Sequence, residues 1–259
     1  MSFFKAIHIT IIICVASCGL VHGNICNKLL VTKSGFHNQN YSTQYLQLKN
    51  VVRRELKSRF DISRVVVKLS DPDYPDVIFV VVASVEISKA RIGKKTRIAE
   101  LCAEIKDGYI SFGSSVKDQY RQIGINTMLK ALVLSKYGNK VQVIEDSLVI
   151  LNKQIFLEEF FKLSGYPQGG RSKMFMVQGI IENLARDKSK LKDIVIESFL
   201  ATPAARTNTK LGFEDIQKIE IDFGESKGGQ LKYFSQKGTL KKDKVTIEVI
   251  LPNGRIIVL

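Results

Sequence analysis

Between Gln44 and Phe60 the apolar positions Leu48, Val52, Leu56 and Phe60 recur at steps of four, which predicts an amphipathic helix. The period then shortens. Val65 to Leu69 reads as a short strand, and Ser70 to Asp76, with Pro72 and Pro75, as a loop. Val77 to Val85 is almost wholly apolar and β-branched, the pattern of a strand buried on both faces. Arg97 to Ile105 and Tyr109 to Val116 predict two more strands joined by a hairpin at Asp107-Gly108. Ile123 to Tyr137 returns to helical spacing and stops at Gly138. A short strand at Val141 to Ile144 and helices at Ile155 to Leu163 and Met174 to Ala185 follow; the two helices flank the glycine-rich stretch Gly165 to Gly170. Ile194 to Leu200 reads as a strand, and Thr202-Pro203 as the cap and first position of a helix that stops at Gly212. The remainder is β-rich and closes on a hairpin around Pro252-Asn253-Gly254, and no internal repeat is present.

This order gives an α+β fold: a mixed, mostly antiparallel sheet flanked by helices over residues 44–259, with an insertion of roughly 50 residues at about 140–192, before the later strand-helix pair. Residues 24–43 are polar and read as a linker. Ahead of them, Lys5, the apolar run Ile9 to Val21, and the small or turn-forming Gly19, Gly23 and Asn24 follow the order of a secretory signal peptide over residues 1–23. The run is shorter than the about 20 residues of a membrane span. Two other readings fit the same stretch. Val15-Ala16-Ser17-Cys18 resembles a lipobox, in which Cys18 would carry a lipid tether to a membrane, and the run also suits a buried first strand. The expected location is therefore outside the cytosol, secreted or anchored.

Composition changes little until charge is considered. Of 259 residues 45% are hydrophobic and 25% charged, which excludes a disordered chain. Lys and Arg number 39 against 25 acids, a net charge of +14 that suits polyanionic partners or a solvated lysine-rich surface. No run of five basic residues and no nucleic-acid signature accompanies it. His8, His22 and His37 all fall in the first forty positions, away from the predicted domain, which argues against His-based metal sites and Ser-His-Asp chemistry. Cys26 and Cys102 would remain after cleavage near Gly23, too few for a disulfide framework.

The segment with chemical promise is the turn from Val116 to Asn126, between a strand and a helix. The first N–H groups of a helix lack internal partners and sit at the positive end of its dipole, so such a turn holds a pyrophosphate through main chain alone. Valine, a short loop, Tyr120-Arg121, then Gly124 leading into an apolar helix resembles the acetyl-CoA pyrophosphate loop of the GNAT superfamily of acyl-CoA N-acyltransferases, whose pattern is R-x-x-G-x-(G/A). The resemblance implies acetyl-CoA as acyl donor, bound by Val116, Arg121, Gln122, Ile123, Gly124, Ile125 and Asn126. Asn126 stands where the family prefers Gly or Ala.

A second segment, Ala201-Thr202-Pro203-Ala204-Ala205-Arg206 to Lys210-Leu211-Gly212-Phe213, resembles the family's later strand and helix, A-T-P-A-x-R then K-L-G-F. Asn208 occupies the position of the tyrosine that, in many members, protonates the leaving thiolate, and asparagine cannot transfer a proton as a general acid does. Phe161-Lys162-Leu163-Ser164-Gly165-Tyr166 offers a competing placement of that helix end. The family implies a carboxylate, often on the strand before the loop, to deprotonate the amine. Tyr109 to Val116 has none, leaving Glu104 and Glu197 as candidates, while strand amides would polarise the thioester carbonyl. Three functions follow: an exported N-acyltransferase acting on an unidentified amine, an exported GNAT-like binding protein without turnover, and a basic nucleic-acid-binding effector.

Overall fold

A computed structural model describes residues 40–70, 79–89, 93–148, 150–166, 173–224 and 229–259. The signal and lipobox readings, the three histidines and Cys14, Cys18 and Cys26 lie outside the described residues, as do most of the 70–76 loop and of the glycine-rich stretch. The described residues open on helix α1 (Tyr41–Arg59), so the last three positions of the expected linker form its first turn, capped by Asn40, whose side chain accepts from Thr43 N–H at 3.1 Å. Strands β1 (Ile62–Leu69), β2 (Phe79–Lys89), β3 (Lys95–Lys106) and β4 (Tyr109–Val116) follow as an antiparallel meander. Asp107 and Gly108, at φ 49° and 83°, form the tight turn between β3 and β4. Helix α2 (Ile125–Tyr137) leads to β5 (Val143–Ser147). Gly138, the residue after α2, keeps a right-handed φ of −63°; its lack of a side chain instead leaves room for the Tyr41 ring, 3.1 Å from where a Cβ would lie.

Four described helices lie between β5 and the next described strand: α3 (Ile150–Ser164), α4 (Lys173–Leu184), α5 (Lys188–Leu200) and α6 (Pro203–Lys210). The strand expected at Ile194 to Leu200 is the second half of α5. Of its buried residues, Leu191, Ile194, Val195, Ser198 and Phe199 keep helical spacing and Ile196 is buried beside them, and the Asp187 carboxylate caps Lys190 N–H at 3.1 Å, so tertiary burial overrides the local β preference of Ile194-Val195-Ile196. The span 140–192 set aside as an insertion also contains β5, a member of the central sheet. Thr202 and Pro203 open α6 as expected, with Thr202 Oγ1 accepting from Ala205 N–H at 3.2 Å. Strands β6 (Asp215–Asp222), β7 (Gln230–Gln236), β8 (Thr246–Ile250) and β9 (Ile256–Val258) complete the fold.

All nine described strands join one sheet in the order β1-β2-β3-β4-β5-β7-β6-β8-β9, parallel at β4–β5 and β6–β8 and antiparallel elsewhere. The register carries one face across it: Ile110 on β4, Ile144 on β5, Ser235 on β7 and Ile216 on β6 stand in a row. The described helices cover that face in two groups. Helices α1 and α2 close a core of Val52, Leu56, Val81, Leu101, Ile110, Leu129 and their neighbours. Helices α3 to α6 close another around Phe156, Phe160, Phe199, Ile219 and Ile247. Each fully buried side chain of this size contributes about 1.5–3 kcal/mol, so both cores are substantial.

Candidate functional site

The loop between β4 and α2 is anchored by its apolar residues. Tyr120 is buried, its ring 4.8 Å from Phe60 at the end of α1, and Ile123 and Ile125 point into the core. Those two isoleucines therefore offer only main chain to a ligand. Gln122 and Gly124 take left-handed conformations, φ 65° and 84°, on either side of Ile123. Alternation of this kind turns successive N–H groups toward one concavity, a shape suited to an anion. Gly124 caps α2, and the N–H groups of Ile125, Asn126 and Thr127 precede the first helical hydrogen bond, from Met128 N–H to Gly124 O at 3.0 Å. The Arg121 side chain folds back, pairing with Asp118 at 2.8 Å and reaching the Val116 carbonyl at 3.4 Å. Asn126 Oδ1 is buried and has no hydrogen-bond partner among the described residues.

Next to this loop the sheet forks. The parallel pairing of β4 with β5 lasts three positions, Tyr109↔Val143, Ile110↔Ile144 and Ser111↔Glu145. Strand β4 then runs on to Val116 along β3, while β5 follows β7 through Ser147. From Phe112 onward the β4 edge that faced β5 has no strand partner among the described residues, leaving main-chain donors and acceptors along the gap.

A buried polar cluster closes the helix side of the fork. The Lys130 ammonium of α2 donates to both Asp146 oxygens at 3.1 and 3.2 Å and to Asn208 Oδ1 at 3.3 Å, and it stands 4.7 Å from the Phe112 ring centroid. Asn208 Nδ2 donates to Asp146 Oδ2 at 2.6 Å, to the Tyr233 hydroxyl at 2.8 Å and to Ser235 Oγ at 3.3 Å. The Tyr233 hydroxyl in turn donates to Asp146 Oδ2 at 3.3 Å. Lys130, Asp146, Asn208, Tyr233 and Ser235 are all buried. Burial first, and the neighbouring Asp146 charge and hydrogen bond after it, push the Tyr233 phenol well above its ordinary range.

No protein-family model, curated protein or solved structure matches this chain.

Asn208 spends its amide inside the cluster and is 0% exposed, out of reach of a ligand in the fork. Glu197 lies on α5, half-exposed and bonded to Lys242, whose ammonium it holds above the ordinary lysine range. Glu104 is exposed on the opposite face of β3, directly across from Ser111, which itself lies opposite Glu145. The register thus places Glu104 by the root of the fork, and Glu197 on a helix of the other core. Glu145, half-buried and 3.7 Å from Lys232, is a carboxylate that spacing did not single out. Lys130, Asp146 and Tyr233 were missed as well: a lysine inside an apolar helix stretch and an aspartate in a five-residue strand were visible in sequence, but their meeting depends on strand order.

Proposed function

We propose that the chain binds an acyl-CoA at the β4–α2 loop and transfers its acyl group to an amine, in the manner of the GNAT superfamily. The fork carries this reading: a parallel strand pair that opens after Ser111, beside a left-handed turn leading into a helix N-terminus. The residues present suit such a donor. Main-chain N–H groups from Gln122 to Thr127 would hold the pyrophosphate, and the open β4 edge would pair an extended, amide-bearing arm as a strand does. The bound donor supplies an activated thioester carbonyl. Main-chain donors on β4 would polarise that carbonyl, and Glu104 and Glu145 stand on the face from which an amine would approach.

A second reading, binding without turnover, is favoured by one observation: the position of the expected acid is an asparagine sealed in a polar cluster. Isothermal calorimetry with CoA and acetyl-CoA, followed by thiol release with a panel of amines, tests both. Absence of binding at millimolar ligand removes the proposal; binding with no thiol release on a broad amine panel leaves the binding reading. Export belongs to the same proposal, from Lys5 and the Ile9 to Val21 run. N-terminal sequencing of the native protein is expected to start near Asn24 or at a lipid-blocked Cys18, and an intact Met1 would remove the export.

A further inference from the structure

Charge is divided unevenly between the sheet and the helices. The nine described strands hold eight lysines and arginines against nine acids, whereas the six described helices hold fifteen against six. Because these helices cover one face of the sheet, the surplus is gathered on that side. Helix α1 is the extreme case, with five bases and a single acid, Glu55. Leu46, Asn50, Arg53, Arg54 and Lys57 recur at helical spacing and are all exposed, on the face opposite the buried Val52 and Leu56. Arg54 and Lys57 make no hydrogen bond or ion pair among the described residues. Arg53 only leans on the Val65 carbonyl at 3.4 Å. Glu55 is turned to Arg59 at 2.9 Å, away from this stripe.

We propose that the outer face of α1 docks the protein on an anionic lipid bilayer. Charge complementarity is the first argument, since a stripe of unpaired bases seeks a surface of like extent and opposite sign. Leu46 is the second: it is 54% exposed at the N-terminal end of the stripe, about two turns before Arg53, where its side chain would enter the lipid while the cations stay with the headgroups. The stripe carries no aromatic ring on which a nucleobase would stack, which disfavours a nucleic acid. This surface is independent of the acyl-CoA reading.

The test is cosedimentation of the full chain with vesicles of phosphatidylcholine alone and of phosphatidylcholine containing one part in about three of phosphatidylglycerol, at low and high salt. Partition is expected to favour the anionic vesicles by more than tenfold and to fall with salt. Each basic side chain near the surface contributes about fivefold, so the triple change Arg53→Gln, Arg54→Gln, Lys57→Gln is expected to lower that partition about a hundredfold. The three side chains are exposed, so the melting temperature should not move. Lys57→Gln alone, expected at about fivefold, serves if the triple variant fails to fold. Equal partition to both vesicle types, or an anionic preference unchanged in the variants, overturns the proposal. So does tighter retention on duplex DNA or RNA that the same variants abolish.

Discussion

Asn208 is asked to do opposite things by its sequence neighbourhood and by its surroundings. The motif around it suggests a residue facing substrate, yet its amide bonds Lys130, Asp146, Tyr233 and Ser235 from three other elements. The cluster lies where the core under α1 and α2 meets the core under α3 to α6, and it fixes α2, β5, α6 and β7 against one another. Removing one member of a buried ion pair strands the other charge, at a cost of about 3–5 kcal/mol. Lys130→Met and Asp146→Ala are each expected to lose that much, read from the midpoint and slope of urea unfolding. Asn208→Tyr, which would restore the family's tyrosine, has no room for a ring at a fully buried site. It is expected to destabilise the fold by overpacking, about 1–3 kcal/mol, without gain in thiol release. An increase of acyl transfer in that variant would show that the site opens in solution.

At the scale of elements, the legible parts were those with a local physical cause. The helix of steps at Leu48, Val52 and Leu56, the Asp107-Gly108 hairpin and the Thr202-Pro203 cap are dictated by neighbours in sequence, and the structure contains each. Helix α5 was hidden because its middle is β-branched and its helical period appears only over the thirteen residues from Lys188. The candidate loop was legible as a turn with a glycine, but the fork beside it was not, because it depends on β5 leaving β4 for β7. Gly124 gives this element its sharpest test. A Cβ there would meet nothing closer than Val52 at 3.9 Å, so the cost of Gly124→Ala comes from φ 84° rather than from crowding. The expected loss is about 1–2 kcal/mol of stability. If the acyl-CoA reading holds, calorimetry of the folded variant should also show weaker CoA binding, by about tenfold or 1.4 kcal/mol. A variant as stable as the parent would mean that the loop relaxes to another turn.

For the whole molecule, the perturbed groups point to an alkaline limit. Burial raises the Tyr41 phenol to about 12, and burial together with Asp146 raises Tyr233 well above its ordinary value. Hydrogen bonds from its ammonium to Glu220 and Glu248 also raise Lys218. All three hold their protons more tightly folded than unfolded. Their contribution is therefore fully present below the unfolded value near 10 and is lost as pH climbs through the folded values, because the unfolded chain releases its protons first. Each group shifted in this way tilts stability by up to about 1.4 kcal/mol per pH unit within that window. Urea unfolding from pH 8 to 12 is expected to show a flat region and then a steep decline beginning near pH 10. Tyr233→Phe should flatten part of that decline, since Asn208 keeps Asp146 as acceptor at 2.6 Å after the phenol is gone. Phenolate absorbance should show the Tyr41 and Tyr233 phenols ionising only as the protein unfolds. A single titration near pH 10 with the fold intact would show that both phenols reach water in the native state.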